Sequence, residues 1–291
     1  MRIVLLLTVL SLLAAGCGAG EVEEPERAAS PPEDPEEELY EATATVLEAP
    51  DGGPMLCLGP MLMSLPPQCG DIPIRGWSWD ALDGEQRHAG VRWGEFHVVG
   101  RYDGETFTLV EAGPPRYARP EPDEGLFVPP CPEPEGGWLT DGTAASQADV
   151  DEAEGYARRQ AEYVRSWVFH IDDPAALEEG GYEEDLPVVY VAVFTSEAAR
   201  HEAELRARWD GPLCVVERDV PSAREAARIR TEAEASLDEL GLRMLSSWEG
   251  APGLAAELEV IADPGGRGQA ALDERFGPGL VRLVPKLTPV D

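Results

Sequence analysis

Lysine is all but missing from this 291-residue chain. Lys286 is the only one, and the 23 basic residues face 56 acidic ones, for a formal charge of −33. A chain so poor in cations cannot displace counterions from a phosphate backbone and repels anionic head groups, so nucleic acid is excluded as a partner. The single lysine also excludes a Ser-Lys dyad unless Lys286 serves. Histidine is scarce: His88, His97, His170 and His201 fall in different predicted elements with no local partner signature. Long apolar runs are absent too. The longest, Ile3 to Ala15, falls short of the roughly 20 residues that a helix needs to cross about 30 Å of hydrocarbon. Cysteines number five.

What is present begins with Arg2 and that apolar run, which ends in Ala14-Ala15-Gly16-Cys17. One base, a short apolar stretch and small residues have the layout of a secretory signal. The segment resembles the precursor of a bacterial lipoprotein, with Ala15 and Gly16 fitting the positions before the cysteine and Ala14 standing where that family more often has Leu. The resemblance implies that residues 1–16 are a cleaved signal peptide. Cys17 would then be lipidated and hold the protein on the extracytoplasmic face of the cell membrane. Losing Arg2 with the leader takes the charge from −33 to −34. The excess acid reads as a solvated surface, as in an organism living in salt; carboxylates alone fix no coordination geometry, so neither a metal site nor a cofactor is expected.

With Cys17 committed to lipid, four cysteines remain, and an even number outside the cytoplasm implies disulfides. Cys57 and Cys69 share a Pro-rich loop and are the favoured pair. That leaves Cys131 for Cys214, although a buried free Cys214 is an alternative because cysteine also serves as a small core residue.

Residues 17–38 are acidic and Pro-studded without apolar periodicity, the composition of a disordered tether. Residues 39–113 read as a β-rich domain. Tyr40 to Leu47 alternates, Asp51-Gly52-Gly53 turns it towards Met55 to Leu58, further strands are expected over Ile72 to Trp79 and Val91 to Tyr102, and Asp103-Gly104 makes a hairpin turn. Five strands in about seventy residues suit a small barrel, of OB type. Pro and Gly crowd the connection over 114–147.

Residues 148–291 read as an α+β domain of strand-helix-strand units on a mixed sheet. A helix is expected from about Asp149 to Val168 on the spacing of Val150, Ala153, Ala157, Ala161, Val164 and Val168. Val188 to Phe194 is a continuous apolar strand, Glu197 to Trp209 a helix, and Leu213 to Val216 a second strand. Ser222 to Glu225 forms a capping box for a helix stopped by Gly241. Two strands are expected near 242–248 and 254–262, then a helix from Gln269 to Phe276 and a strand from Leu280 to Pro285. Leu205, Trp209, Leu213 and Val216 keep the spacing of Leu272, Phe276, Leu280 and Leu283, as in an internal duplication. The stretch containing Phe194-Thr195, His201 to Arg206 and Trp209 to Val215 is similar to a segment of uncharacterised secreted proteins of high-GC Gram-positive bacteria, which implies a source and no activity.

Catalytic patterns fail on named positions. His201-Glu202-Ala203-Glu204-Leu205 starts like a zinc-protease helix but has Leu205 where the second imidazole belongs, leaving a helix-surface histidine. Asp149, Asp151 and Gly155 miss a calcium loop at Ala153 and Glu154. Gly266-Arg267-Gly268 has the form of a dinucleotide fingerprint, with Lys286 where the acid should stand. Trp77-Ser78-Trp79 lacks the glycines of a nucleophile elbow. No catalytic residue is therefore assigned. Among binding readings, Trp77 and Trp79 share one face of a strand and Trp93 could join them, to stack on a glycan or on an envelope protein, against core packing as the plainer use of large aromatics. The sequence thus points to a lipid-anchored envelope protein that binds rather than catalyses. The alternative is a secreted hydrolase with a carboxylate pair, which 56 acids make too easy to satisfy.

Overall fold

Alternation organises the first half of the structure, a computed structural model describing residues 38–117, 128–138, 146–171, 188–250 and 253–290. In β1, Tyr40–Glu48, the side chains of Tyr40, Ala42, Ala44 and Val46 are buried on one face while Glu41, Thr43 and Thr45 take the other. β2 (Pro54–Cys57) pairs antiparallel with β1, and β3 (Ile72–Arg75) with β2. The strand expected to reach Trp79 ends at Arg75, and Trp79–Ala81 is a 3-10 turn. β4 (Gln86–His88) forms a hairpin with β5 (Val91–Tyr102), and β6 (Phe107–Gly113) follows. β6 runs parallel to β3 and antiparallel to β5, and β5 returns to β1, so five strands close into a barrel. Leu56, Ile72, Ile74, Phe96, Val98 and Phe107 fill it.

The twelve-residue β5 bends where its register with β6 shifts, between Val99 and Gly100. A Cβ on Gly100 would run into the Thr108 carbonyl and lie 2.6 Å from the Phe107 ring, so only glycine lets the strands approach there. The β5–β6 turn is held by Asp103, whose carboxylate accepts from the amides of Glu105 (2.9 Å) and Thr106 (2.7 Å).

Beyond the barrel, among the described residues, an α-β-β-α-β order occurs twice. The first unit is α1 (Gln147–Ala157), β7 (Tyr163–His170), β8 (Val188–Phe194), α2 (Ala198–Arg206) and β9 (Leu213–Glu217). The second is α3 (Ala223–Leu237), β10 (Met244–Trp248), β11 (Ala256–Val260), α4 (Arg267–Phe276) and β12 (Val281–Pro285). In each, the first two strands pair antiparallel with a register shift near the start, and a helix carries the chain over to a parallel third strand. The correspondence noted from Leu205 and Leu272 onward therefore extends over five elements. The helix expected to run to Val168 stops at Ala157. Residues 163–170 are a strand because Val164, Trp167, Val168 and Phe169 are β-branched or aromatic and cover both faces of a sheet.

Every residue of β8 is buried. Val188, Tyr190, Ala192 and Phe194 pack on α1 and α2, while Val189 and Val191 face Cys131, Trp138, Trp167 and Phe169. The segment 128–138 covers that second face, and the Cys131–Cys214 disulfide staples it there. After β12, Leu287 joins Ile261 and Ala262 in the barrel's own apolar cluster, and β13 (Thr288–Pro289) pairs with the start of β1. The described residues belong to one compact unit of α+β class. None of their helices is long and apolar enough to cross a membrane.

Candidate functional site: an apolar tip on the barrel

In the connection from β2 to β3, Leu58 to Asp71, the thirteen residues before Asp71 carry no charge, in a chain where more than a quarter of residues are charged. Its ends are clamped by the Cys57–Cys69 disulfide and by Asp71, whose carboxylate accepts from the amides of Leu58 (2.6 Å) and Gly59 (2.8 Å). Farther out the loop bonds to itself: the Leu62 amide to the Gln68 carbonyl (3.1 Å), the Ser64 amide to the Leu62 carbonyl (2.9 Å) and the Ser64 hydroxyl to the Pro66 carbonyl (2.7 Å). Pro60, Pro66 and Pro67 have no amide hydrogen to satisfy. The loop points its apolar side chains outward. Met61 is 40% exposed, Leu62 64%, Leu65 69%, and Met63 fully so.

Single exposed apolar residues need no explanation, but a contiguous group marks an interaction surface. Together these four leave in water the equivalent of nearly three whole side chains. Covering them would contribute about 4–8 kcal/mol, at about 1.5–3 kcal/mol per large side chain. β2 runs antiparallel to β1, with Glu48 opposite Pro54 and Thr45 opposite Cys57, so the loop leaves the barrel partway along β1, beside its C-terminal half.

The tryptophans do not form an exposed face. Trp77 and Trp79 do meet, with ring centroids 5.3 Å apart, but they pack with Phe96 inside the barrel cluster. Trp79 is buried, donates to the Glu48 carboxylate (2.5 Å) and is covered by the Arg92 guanidinium 4.9 Å from its ring. Arg92 in turn donates to both oxygens of Glu85 (2.6 and 3.1 Å); these bonds, with those from Arg87, hold the Glu85 carboxyl down at about 2. Trp93 belongs elsewhere, with Leu47, Cys57 and Cys69 beneath the apolar loop. All three therefore lie in packing clusters, with Trp79 and Trp93 buried and Trp77 partly so, because the chain turns after Arg75 and folds the Trp77–Trp79 pair into the barrel.

His201 lies on the inner face of α2 and is fully buried, where a surface histidine is expected. It stacks on Phe194 at 3.8 Å with rings 9° apart. Arg200 lies 3.2 Å from Nε2 and can only donate, so Nε2 accepts and the proton sits on Nδ1, 3.0 Å from the Tyr156 hydroxyl. Burial, with Arg200 second, lowers its pKa and keeps the ring neutral. Glu162, Glu197 and His201 offer ligand atoms within 4.8 Å of one another, but the Arg200 guanidinium already sits among them, 2.7 Å from Glu197 and 3.5 Å from Glu162. An internal cation holds that position. The start of α4 is likewise taken: Asp263 accepts from the amides of Gly268 (2.7 Å) and Gln269 (3.0 Å), where a bound phosphate would need them. A cavity of about 260 Å³ lined by Arg165, Pro221, Ala226, Arg230 and Glu249 brings no pair of acids together among the described residues.

No family model, no curated protein and no solved structure matches this chain.

Proposed function

We propose that this protein is a lipid-anchored envelope protein, tethered through Cys17 and residues 17–38, and that it works as a non-catalytic interaction module docking through the tip at Met61 to Leu65. The observation that carries the reading is a preformed, uncharged loop with four large apolar side chains in water on an otherwise strongly acidic protein. The two disulfides support an oxidising, extracytoplasmic compartment. We assign the barrel to the OB type. In support, once β4 is treated as a hairpin added to β5, its five strands close in the order β1-β2-β3-β6-β5 around a parallel β3–β6 pair. Barrels of that type serve many purposes, so the docking reading rests on the loop and not on the fold.

The test is cosedimentation of the chain from Asp34 onward with envelopes of the source organism, washed at high salt. Wild type is retained, and a Leu62→Glu, Met63→Glu variant stays in the supernatant. Equal retention of both removes the tip from the account. Retention of wild type that disappears with salt assigns binding to the acidic surface and contradicts the docking reading.

A further inference from the structure

We propose that the cavity of about 260 Å³ on the seam between the two α-β-β-α-β units binds a small organic monocarboxylate, held at its charged end by Arg165 and Arg230. Both units build this seam. Val164 and Arg165 come from β7 of the first, while Ala226, Ala227 and Arg230 on α3 and Leu254 ahead of β11 come from the second. The cavity shares no residue with the apolar loop on the barrel, so it stands independently of the docking surface.

The repeated order of elements shows how such a place is closed when it serves packing alone. Each unit has a register shift at the start of its first strand, between Tyr163 and Arg165 in β7 and between Met244 and Ser246 in β10. Counted from those shifts, Val164 corresponds to Leu245 and Arg165 to Ser246. Leu245 packs against the barrel's apolar cluster and lies on Gly59, and the Ser246 hydroxyl donates to Glu259 (2.6 Å). In the first unit the same two positions open onto the cavity instead, and Arg165 stands opposite Val193, where no acid is offered. Its guanidinium lies 5.4 Å from the centre of the Trp167 ring, a contact that positions the cation without neutralising it. In a chain with 56 acidic residues, a partly buried arginine with no carboxylate partner among the described residues is a charge left for something from outside. Arg230 is also uncommitted: its nearest carboxylate, Glu234, is 3.8 Å away, beyond hydrogen-bond range, and accepts from the Ser247 hydroxyl.

Two guanidinium groups favour a carboxylate through their forked donors. The start of α3, at Ala223 in the wall, adds the positive end of a helix dipole. Val164, Ala226 and Leu254 supply apolar wall that a phosphate would leave wet and a hydrocarbon body covers. Glu249, also in the wall, repels a second negative charge on the ligand. The volume lies below the roughly 300–1,000 Å³ of pockets for drug-sized molecules, so the ligand is small.

Benzoate is the probe, titrated against the full chain with both disulfides formed and followed by saturation-transfer NMR on the ligand. It should bind saturably, and benzamide, its uncharged counterpart, should bind at least about ten-fold more weakly, the loss expected for a charge-assisted bond. Arg165→Gln should weaken benzoate by a similar factor. So should Ala227→Trp, which fills the cavity from an exposed helix position and leaves the core untouched. Unfolding midpoints near that of wild type confirm that the variants are folded. Absence of saturable benzoate binding, equal binding of benzamide, or full affinity in both variants would overturn the proposal. Displacement of benzoate by an equal concentration of inorganic phosphate would make the site a simple anion hole and overturn the ligand class.

Discussion

Removing the Cys57–Cys69 disulfide, as Cys57→Ala with Cys69→Ala, separates the tip's preorganisation from its composition. The bond closes a loop of sequence separation 12, which in the chain-entropy account stabilises the fold by about 2.8 kcal/mol. Truncating Cys57, buried against Leu47 and Trp93, adds a packing loss of about 1 kcal/mol. At about 2–4 °C per kcal/mol for a chain of this size, the unfolding midpoint should fall by about 8–15 °C. The barrel should persist, because Asp71 still clamps Leu58 and Gly59 and the five strands close without the bond. Docking should weaken about ten-fold or more, since the loop must now be ordered on binding. Thermal unfolding followed by circular dichroism reads the first effect and envelope cosedimentation the second. A midpoint within 2 °C of wild type, or undiminished docking by a destabilised variant, would show that the reasoning about the loop is wrong.

His201 has a folded-state pKa below its ordinary 6.5, so its contribution is present above that value and is lost as pH falls towards the folded pKa. The unfolding midpoint should therefore drop between pH 7 and 5, and His201→Gln, measured in the same buffers, should flatten that slope; superposed slopes would contradict the buried neutral ring. Glu85, held at about 2 by Arg92 and Arg87 against an ordinary 4.5, contributes stability above 4.5 that is lost as pH falls towards 2. The gap between wild type and Glu85→Gln should close over that range, and a pH-independent gap would count against the pairing. Gly100→Ala should destabilise by about 2–4 kcal/mol in denaturant melts, because its methyl meets the Thr108 backbone and the Phe107 ring; a change below 0.5 kcal/mol would contradict the close approach of β5 and β6.

Much of the architecture is legible in the sequence where period and local signals agree. The alternation of Tyr40, Ala42, Ala44 and Val46 marks β1, and Ser222 accepts from the Glu225 amide (3.3 Å) at the start of α3. Residues 157–169 show where period alone misleads: Ala157, Ala161, Val164 and Val168 satisfy a helix, while the aromatic Trp167 and Phe169 on either side of Val168 need a sheet with both faces covered. The burial of His201 is readable one turn on, since Leu205 shares its face and points to the core. The return of the C-terminal residues to β1 is not readable, because pairing Tyr40 with Pro289 leaves no local mark. The tip escapes sequence reading for a different reason. Met-Leu-Met is the vocabulary of a core strand, and its only distinguishing sign is a run of uncharged, proline-rich residues between two cysteines.

Methionine footprinting tests the docking claim most directly. Met61 and Met63 lie on the tip, while Met244, 43% exposed, sits on β10 and serves as an internal reference. Oxidation by peroxide is compared between purified protein and protein in intact cells of the source organism. In purified protein Met63 should oxidise faster than Met244, and in cells that ratio should fall at least five-fold as the tip is covered. An unchanged ratio in cells would mean that the tip stands in water where the protein works, and the account of it as a docking surface would be contradicted.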